Sequence, residues 1–300
     1  CIIIYESNAL ITTQSDCQFV TLECRVMENP YLPIKTEVLD VIEESPTIKT
    51  FRLRSETPLI FKAGQFVEMS IPGKGEAPFT PSSSQYEKDK LEITIMKTGR
   101  ITGMIHDLKK GDMVGLRGPY GKEYPLSEFE GKEILLVGGG VGLAPLRALF
   151  LALVHDIEKY KSVLFCCGSR TPSDIIYKDC VLNKWQGLDK KRIKFRITVD
   201  RKDDSWKGNV GLVTTTLDKL EINLKNSFSI VCGPPIMMKF ATFKLLEVGY
   251  KPEQIYLSME KNMSCGIGKC GHCRLGNFYA CKDGPVFRYD KISHIHEIWD

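Results

Sequence analysis

From about residue 34 to residue 120, apolar and polar positions alternate in short runs separated by turn residues. Leu91, Ile93 and Ile95 alternate with Glu92 and Thr94, and Val114 and Leu116 flank Gly115 just ahead of Arg117-Gly118-Pro119-Tyr120-Gly121. A period of two puts successive side chains on opposite faces of a strand, so these segments are predicted to be half-buried strands, with a turn at 117–121. Several such strands with turn punctuation form the pattern of a small antiparallel β-barrel.

Near residue 130 the pattern changes. Residues 134–137, 163–167, 193–199, 229–232 and 255–257 are short and largely apolar on both faces, with helical stretches between them. That arrangement predicts a doubly wound α/β domain whose parallel sheet is buried between helix layers. The expected organisation is a barrel over 27–129 and a nucleotide domain over 130–258. The small Cys- and Gly-rich segment 259–300 is too short to hold its own core and needs a metal or covalent link to organise it. Residues 1–26 join none of the motifs; they are expected to be an N-terminal extension of unknown role and no catalytic part, with Met27 as the start of the working chain.

Composition narrows the function classes. With 300 residues, 43% hydrophobic and 26% charged, the chain fits about two globular domains. Its 41 Lys and Arg against 37 Asp and Glu give a dispersed excess of +4, too weak to imply nucleic acid. No apolar run approaches the roughly 20 residues that cross a bilayer, so no membrane span is expected. Eleven cysteines without a secretory signal argue against a disulfide framework, because a chain this long needs no staples and cytosolic thiols stay reduced.

Four of those cysteines are concentrated in one loop. Cys265-x4-Cys270-x2-Cys273-x7-Cys281 lies within 17 residues and is interleaved with Gly266, Gly268, Gly271 and Gly276. Thiolates stabilise ferric iron, and the x4 and x2 spacings match the plant-type [2Fe-2S] arrangement. Structural zinc held by four cysteines is the alternative that this segment leaves open. His272, between two of the cysteines, is read as solvated, and Cys166 and Cys167 as small buried side chains.

Residues 134–137 run into Gly138-Gly139-Gly140-Val141-Gly142-Leu143-Ala144-Pro145, followed by a helix over 146–155. A strand leading through glycines to a helix N-terminus can cradle a pyrophosphate, because backbone N–H groups approach the anion closely. Cys232-Gly233-Pro234-Pro235 ends a later strand at the edge where open α/β sheets bind ligands. Gly168 and Arg170 follow another strand. Asp200 is placed to accept a bond from a ribose 2′-hydroxyl, favouring NADH, whereas Arg201 and Lys202 beside it suit a 2′-phosphate.

Taken together, these features resemble the ferredoxin-NADP reductase superfamily. Residues 138–147, 168–172, 232–238 and 265–287 resemble its iron-sulfur flavoprotein group, which includes the sulfhydrogenase gamma subunit, a subunit of anaerobic sulfite reductase and the dihydroorotate dehydrogenase electron-transfer subunit. The resemblance implies FAD, in preference to FMN, with a [2Fe-2S] cluster and NAD(P)H. Ala77-Pro78-Phe79-Thr80 matches the superfamily's Arg-x-Tyr-Ser segment, so Phe79 would pack on the flavin and the Thr80 hydroxyl would reach its N5 edge. Ala77 replaces the arginine that pairs with the FAD pyrophosphate, and Arg100 is close enough in sequence to substitute for it. Ile95, Lys97 and the loop Gly99, Ile101, Thr102 and Gly103 would complete the flavin site, with the Thr102 hydroxyl on the anion and a short helix over 104–108.

By the same resemblance Thr80, Cys232 and Glu260 are the candidate catalytic residues, with Cys232 positioning rather than attacking. The implied role is an electron-transfer subunit working with other subunits of a redox complex, themselves iron-sulfur proteins. Two other readings stand beside it: a stand-alone flavin-dependent reductase of a small sulfur compound, and a non-catalytic nucleotide-binding protein with structural zinc.

Overall fold

The computed structural model describes residues 29–299; the expected N-terminal extension lies outside the described residues. Strands β1 (Ile34–Ser45), β2 (Ile48–Ser55), β3 (Phe66–Ile71), β4 (Gly75–Phe79), β5 (Leu91–Met96) and β6 (Met113–Tyr120) form an antiparallel sheet in the order β4-β3-β6-β1-β2-β5. A bridge between Pro81 and Ile93 joins the chain after β4 to β5, curling the sheet toward closure. Val38, Phe51, Leu53, Val67, Met69, Ile93 and Leu116 fill its interior.

The alternating pattern in β5 and β6 misleads in one respect. All residues from Leu91 to Ile95 are buried, including Glu92 and Thr94. The outward face of β5 is covered by the second domain, so polarity there marks a domain interface rather than solvent. Arg147 donates to Glu92 Oε2 at 2.6 Å and to the Ser82 carbonyl at 2.9 Å, Arg52 Nε reaches Glu92 Oε1 at 2.8 Å, and the Tyr177 hydroxyl meets Thr94. In β6, Val114, Gly115 and Leu116 are likewise buried. The expected turn at 117–121 is strand as far as Tyr120, because β3 extends to pair with it, Phe66 facing Tyr120.

The second sheet consists of β7 (Glu133–Gly139), β8 (Ser162–Ser169), β9 (Ile193–Val199), β10 (Asn209–Val210), β11 (Ser227–Cys232) and β12 (Ile255–Ser258), in the order β10-β9-β8-β7-β11-β12. These neighbours all pair in parallel. Helices α1 (Arg100–His106) and α2 (Leu126–Phe129) precede it, while α3 (Leu143–His155) and α4 (Pro235–Glu247) cover its two faces. In β7, Ile134 and Leu136 pack into the core with α3, and Leu135 and Val137 into the core with α4. A strand covered on both sides has no polar face, which accounts for its continuous apolar run.

The cysteine-rich segment shares this second core: Cys265, Cys273 and Cys281 are buried with Leu257, Met238 and Phe287. It contributes a small hairpin, β13 (Arg274–Leu275) and β14 (Phe278–Tyr279), and a strand, β15 (Val286–Arg288), antiparallel to β12 at the sheet edge. Among the described residues no helix is long and apolar enough to cross a membrane.

One buried group carries a pH signature. Glu68 on β3 is fully buried, and neither carboxyl oxygen has a hydrogen-bond partner among the described residues. Burial, then the negative charge of Glu76, pushes it up to about 8, with Arg117 opposing. The folded chain therefore holds a proton that the unfolded chain releases at ordinary carboxylate pH, so stability is lost as pH rises from that range toward 8. Glu68→Gln is expected to remove this slope, gaining on wild type by up to about 1.4 kcal/mol per pH unit between pH 5 and 8. Denaturant melts of both proteins across that range would show parallel curves if the expectation is wrong.

Candidate functional site

A cleft of about 310 Å³ lies between the two domains. Ala77, Pro78, Phe79 and Thr80 line it from the end of β4, and Ile95 from β5. Val141, Ala144 and Pro145 enter from the β7–α3 turn, Cys232 from the end of β11, and Ser258, Met259 and Glu260 from the end of β12. The three candidate catalytic residues thus converge on one space from three elements. Phe79 also packs against the barrel core, so it serves both. Cys232 is buried; burial, then the Glu260 charge, pushes its thiol up to about 12, against a hydrogen bond to Ser258. A protonated thiol is a weak nucleophile, in keeping with a positioning role. Glu260 is open to water at the cleft mouth, yet the protein packed around it raises its carboxyl above the ordinary value.

Sequence reasoning missed Phe66, Met263 and Pro285 in this lining. Met263 and Pro285 come from the cysteine segment, and no local period marks residues whose role depends on a distant partner. Met259 had a usable signal: it follows the carboxyl end of a parallel strand, as Cys232 does.

The loop beyond β5 departs from expectation. Its helix is α1, starting at Arg100 with Gly99 as its cap, rather than 104–108. The Thr102 hydroxyl accepts from the backbone N–H groups of Thr98 at 2.9 Å and Gly99 at 2.8 Å and donates to the Gly99 carbonyl. It closes the loop instead of being free for an anion, because a helix start without a side-chain cap recruits the nearest hydroxyl. Thr102 still lines the cleft; Lys97, Gly99, Ile101 and Gly103 lie outside that lining, with Lys97 folded over Gly103, and Arg100 is exposed.

A second cavity, about 580 Å³, lies along the ends of the parallel strands. Gly139, Gly140, Val141, Gly168, Arg170, Asp200 and Pro234 line it, with an apolar floor from Val213, Ile236 and Phe240. Strand order reverses between β7 and β11, so this is the crevice where doubly wound sheets take ligands. Gly142 and Gly233 stand behind the lining. A Cβ on Gly142 would lie 2.5 Å from the Cys232 carbonyl, so the two turns touch only because that side chain is absent. Val141 borders both cavities, which makes them neighbours. Asp200 is exposed, its carboxyl raised by partial burial against Arg201 and Arg170.

In the cysteine loop, Gly266 and Gly268 adopt φ of +75° and +72°, a left-handed conformation that bends the chain around the sulfurs. Backbone N–H groups of Ile267 and Lys269 point at Cys265 Sγ (3.5 and 3.3 Å), that of Gly268 at Cys281 Sγ (3.0 Å), and that of Cys281 at Cys273 Sγ (3.5 Å). Such donors favour anionic sulfur, which is what an iron centre requires. Burial opposes ionisation of Cys265, but hydrogen bonds from the loop bring it down to about 6, whereas burial pushes Cys281 up to about 12. Among the described residues no three His, Cys, Asp or Glu side chains already surround a single point. His272 is exposed, its Nδ1 against Ser264 Oγ at 2.9 Å. Cys166 and Cys167 are buried thiols held above their ordinary range.

Sequence profiles match the same three regions: the oxidoreductase FAD-binding domain over 35–124, the oxidoreductase NAD-binding domain over 136–242, and the iron-sulfur cluster binding domain of dihydroorotate dehydrogenase B over 260–293. The chain is 40% identical over 275 residues to sulfhydrogenase 1 subunit gamma of Pyrococcus furiosus, covering 88% of this chain and 94% of that one. It is 34% identical over 269 residues to a probable dihydroorotate dehydrogenase B (NAD(+)) electron transfer subunit of Methanocaldococcus jannaschii, covering 88% and 93%. Among solved structures, a chain of the NADH-dependent reduced ferredoxin-NADP oxidoreductase superposes with a TM-score of 0.70 at 27% identity, over 89% of this chain and 93% of that one. The cytochrome b5 reductase domain of Ulva prolifera nitrate reductase shares the fold, with a TM-score of 0.63 at 20% identity over 76% and 97%.

Proposed function

Because this chain belongs to the family of the sulfhydrogenase gamma and dihydroorotate dehydrogenase B electron-transfer subunits, we propose that it passes electrons between NAD(P)H and a separate catalytic subunit, through FAD and a [2Fe-2S] cluster. The observation that carries this reading is the continuity of its sites. The nucleotide cavity and the flavin cleft share Val141, and the cleft wall at Met263 leads in two residues to Cys265. Flavin supplies the conversion between two-electron and one-electron transfer, and the cluster accepts single electrons.

The chain's own residues do the rest. Gly139, Gly140 and Gly168 let the dinucleotide approach the sheet, and Asp200 takes its ribose. Phe79 lies against the flavin and the Thr80 hydroxyl faces its reactive edge, while the protonated Cys232 thiol and Glu260 orient the nicotinamide. Cys265, Cys270, Cys273 and Cys281 ligate the cluster. Their x4 and x2 spacings support a [2Fe-2S] cluster over a zinc ion. The working parts are a barrel over 27–129, a nucleotide domain over 130–258 and a cluster domain over 259–300, in a cytoplasmic setting. Electrons leave at the cluster loop, where Lys269 and Cys270 are exposed and the exposed Lys282 packs over Gly268. The partner is an iron-sulfur subunit such as that of a hydrogenase or sulfite reductase core.

Anaerobically purified protein is expected to show a flavin absorption band with about two irons and two labile sulfides per chain. A colourless protein with one zinc would end this reading. Asp200→Ser is expected to lower kcat/KM for NADH severalfold with little change for NADPH; equal loss with both would remove Asp200 from the ribose site.

A further inference from the structure

The barrel reaches the cysteine loop through one buried cation. Arg117 on β6 is 4% exposed, and its guanidinium is fully engaged. Nε and Nη2 donate to Glu76 Oε2 and Oε1 at 2.9 and 2.6 Å, a two-pronged pair with the β4 carboxylate. Nη1 donates to the carbonyls of Pro30 (3.1 Å) and Cys265 (3.3 Å) and to the Tyr120 hydroxyl (3.0 Å), and Nη2 also donates to the Ser264 carbonyl (3.2 Å). The rings of Tyr31 and Tyr120 lie 5.6 Å from Cζ. Beside them, Gly266 is pressed so close to Tyr120 that a Cβ there would come within 2.6 Å of the ring. A flavin-barrel strand therefore grips three successive loop residues, 264 to 266, of which Cys265 is the first cysteine of the motif.

We propose that Arg117 and Glu76 form a positioning pair that anchors the cluster loop to the flavin barrel and sets the cluster's reduction potential through their two opposed charges. The proposal rests on the reading that Cys265 ligates a redox cluster. Reduction adds negative charge to the cluster, so a nearby cation favours the reduced state and a nearby anion disfavours it. Arg117 stays protonated at any working pH. Removing either partner leaves the other's charge unbalanced near the loop, Arg117 buried there and Glu76 half-buried. The two single substitutions must therefore move the potential in opposite directions, which mere loosening of the loop does not do.

The test is an EPR-monitored redox titration of the anaerobically purified full chain, with iron, sulfide and flavin content measured on each sample. Arg117→Gln is expected to lower the cluster's reduction equilibrium constant about tenfold, or about 59 mV for one electron. Glu76→Gln, nearly isosteric, is expected to raise it by a similar factor, and the double variant to return close to wild type. Arg117→Lys keeps the charge but cannot serve the carboxylate and both carbonyls with one ammonium, so its potential stays near wild type while its iron content falls. Shifts in the same direction for R117Q and E76Q, or changes under about twofold in both, overturn the proposal. If R117Q does not accumulate with flavin bound, an unshifted E76Q overturns it alone. Wild-type protein without iron and sulfide would instead sink the electron-transfer reading, a separate outcome read from the first sample.

Discussion

Replacing Cys273 with serine is expected to strip the chain of iron and sulfide while leaving its flavin in place. Cys273 is 1% exposed and receives the Cys281 N–H at its sulfur, while its carbonyl accepts from the Ala280 N–H at 3.0 Å. Serine keeps that backbone bond and nearly the same side-chain volume but offers a hard, protonated oxygen in place of a soft thiolate. Cluster affinity depends on all four ligands, because a vacancy opens the centre to water and loss. Iron per chain should fall at least tenfold in Cys273→Ser and Cys281→Ser, and stay unchanged in His272→Ala, whose exposed ring faces Ser264. The flavin cleft contains neither Cys273 nor Cys281 in its lining, so the flavin band should persist. Wild-type iron content in either serine variant would remove that cysteine from the ligand set.

Arg147→Met is expected to cost about 3 kcal/mol, the low end for breaking a buried ion pair. Arg147 lies on α3 and reaches across to the barrel, pairing with the buried Glu92, bonding the Ser82 carbonyl and stacking 4.7 Å over the Tyr177 ring. Methionine fills much of the volume but leaves Glu92 with Arg52 alone and a carbonyl without its donor. For a chain of 300 residues the loss corresponds to a fall in Tm of about 5 °C.

The same pair predicts a pH dependence. Burial alone would raise the Glu92 carboxyl, but Arg147 and then Arg52 hold it below the ordinary value. A folded-state pKa below the unfolded one contributes stability at higher pH that disappears as pH falls through the folded value. The difference in Tm between wild type and variant should therefore be largest near pH 7 and shrink below pH 4. A constant difference would mean that the packing of Arg147 matters and its charge does not. Since α3 also carries Ala144 and Pro145 at the cleft, slower flavin reduction by NADH should accompany the lost stability.

Much of the architecture was legible because local periods report what each strand faces. The apolar run at 134–137 lies at the centre of the parallel sheet, and the alternating run at 193–199, with Lys194, Arg196 and Thr198 on one face, lies next to its edge strand. Glu92 and Thr94 show where that logic stops: their polarity signalled an exposed face, but the face is a domain interface where arginine and tyrosine satisfy them. Thr102 shows a second limit. A hydroxyl in a glycine loop reads as an anion donor, and only the backbone geometry shows that the loop itself uses it.

The amino-acid order alone specified the chemical inventory and the succession of the parts: four thiols spaced to wrap a metal centre, glycine turns at strand ends, a barrel before a parallel sheet. These are local properties, set by residues within a few turns of chain. What meets what was decided by folding in three dimensions. Thr80, Cys232 and Glu260 share a cleft although they lie up to 180 positions apart, and Arg117 holds a loop about 147 residues downstream. Periodicity carries no information about such contacts, since they depend on how two folded domains pack together rather than on what either segment does alone.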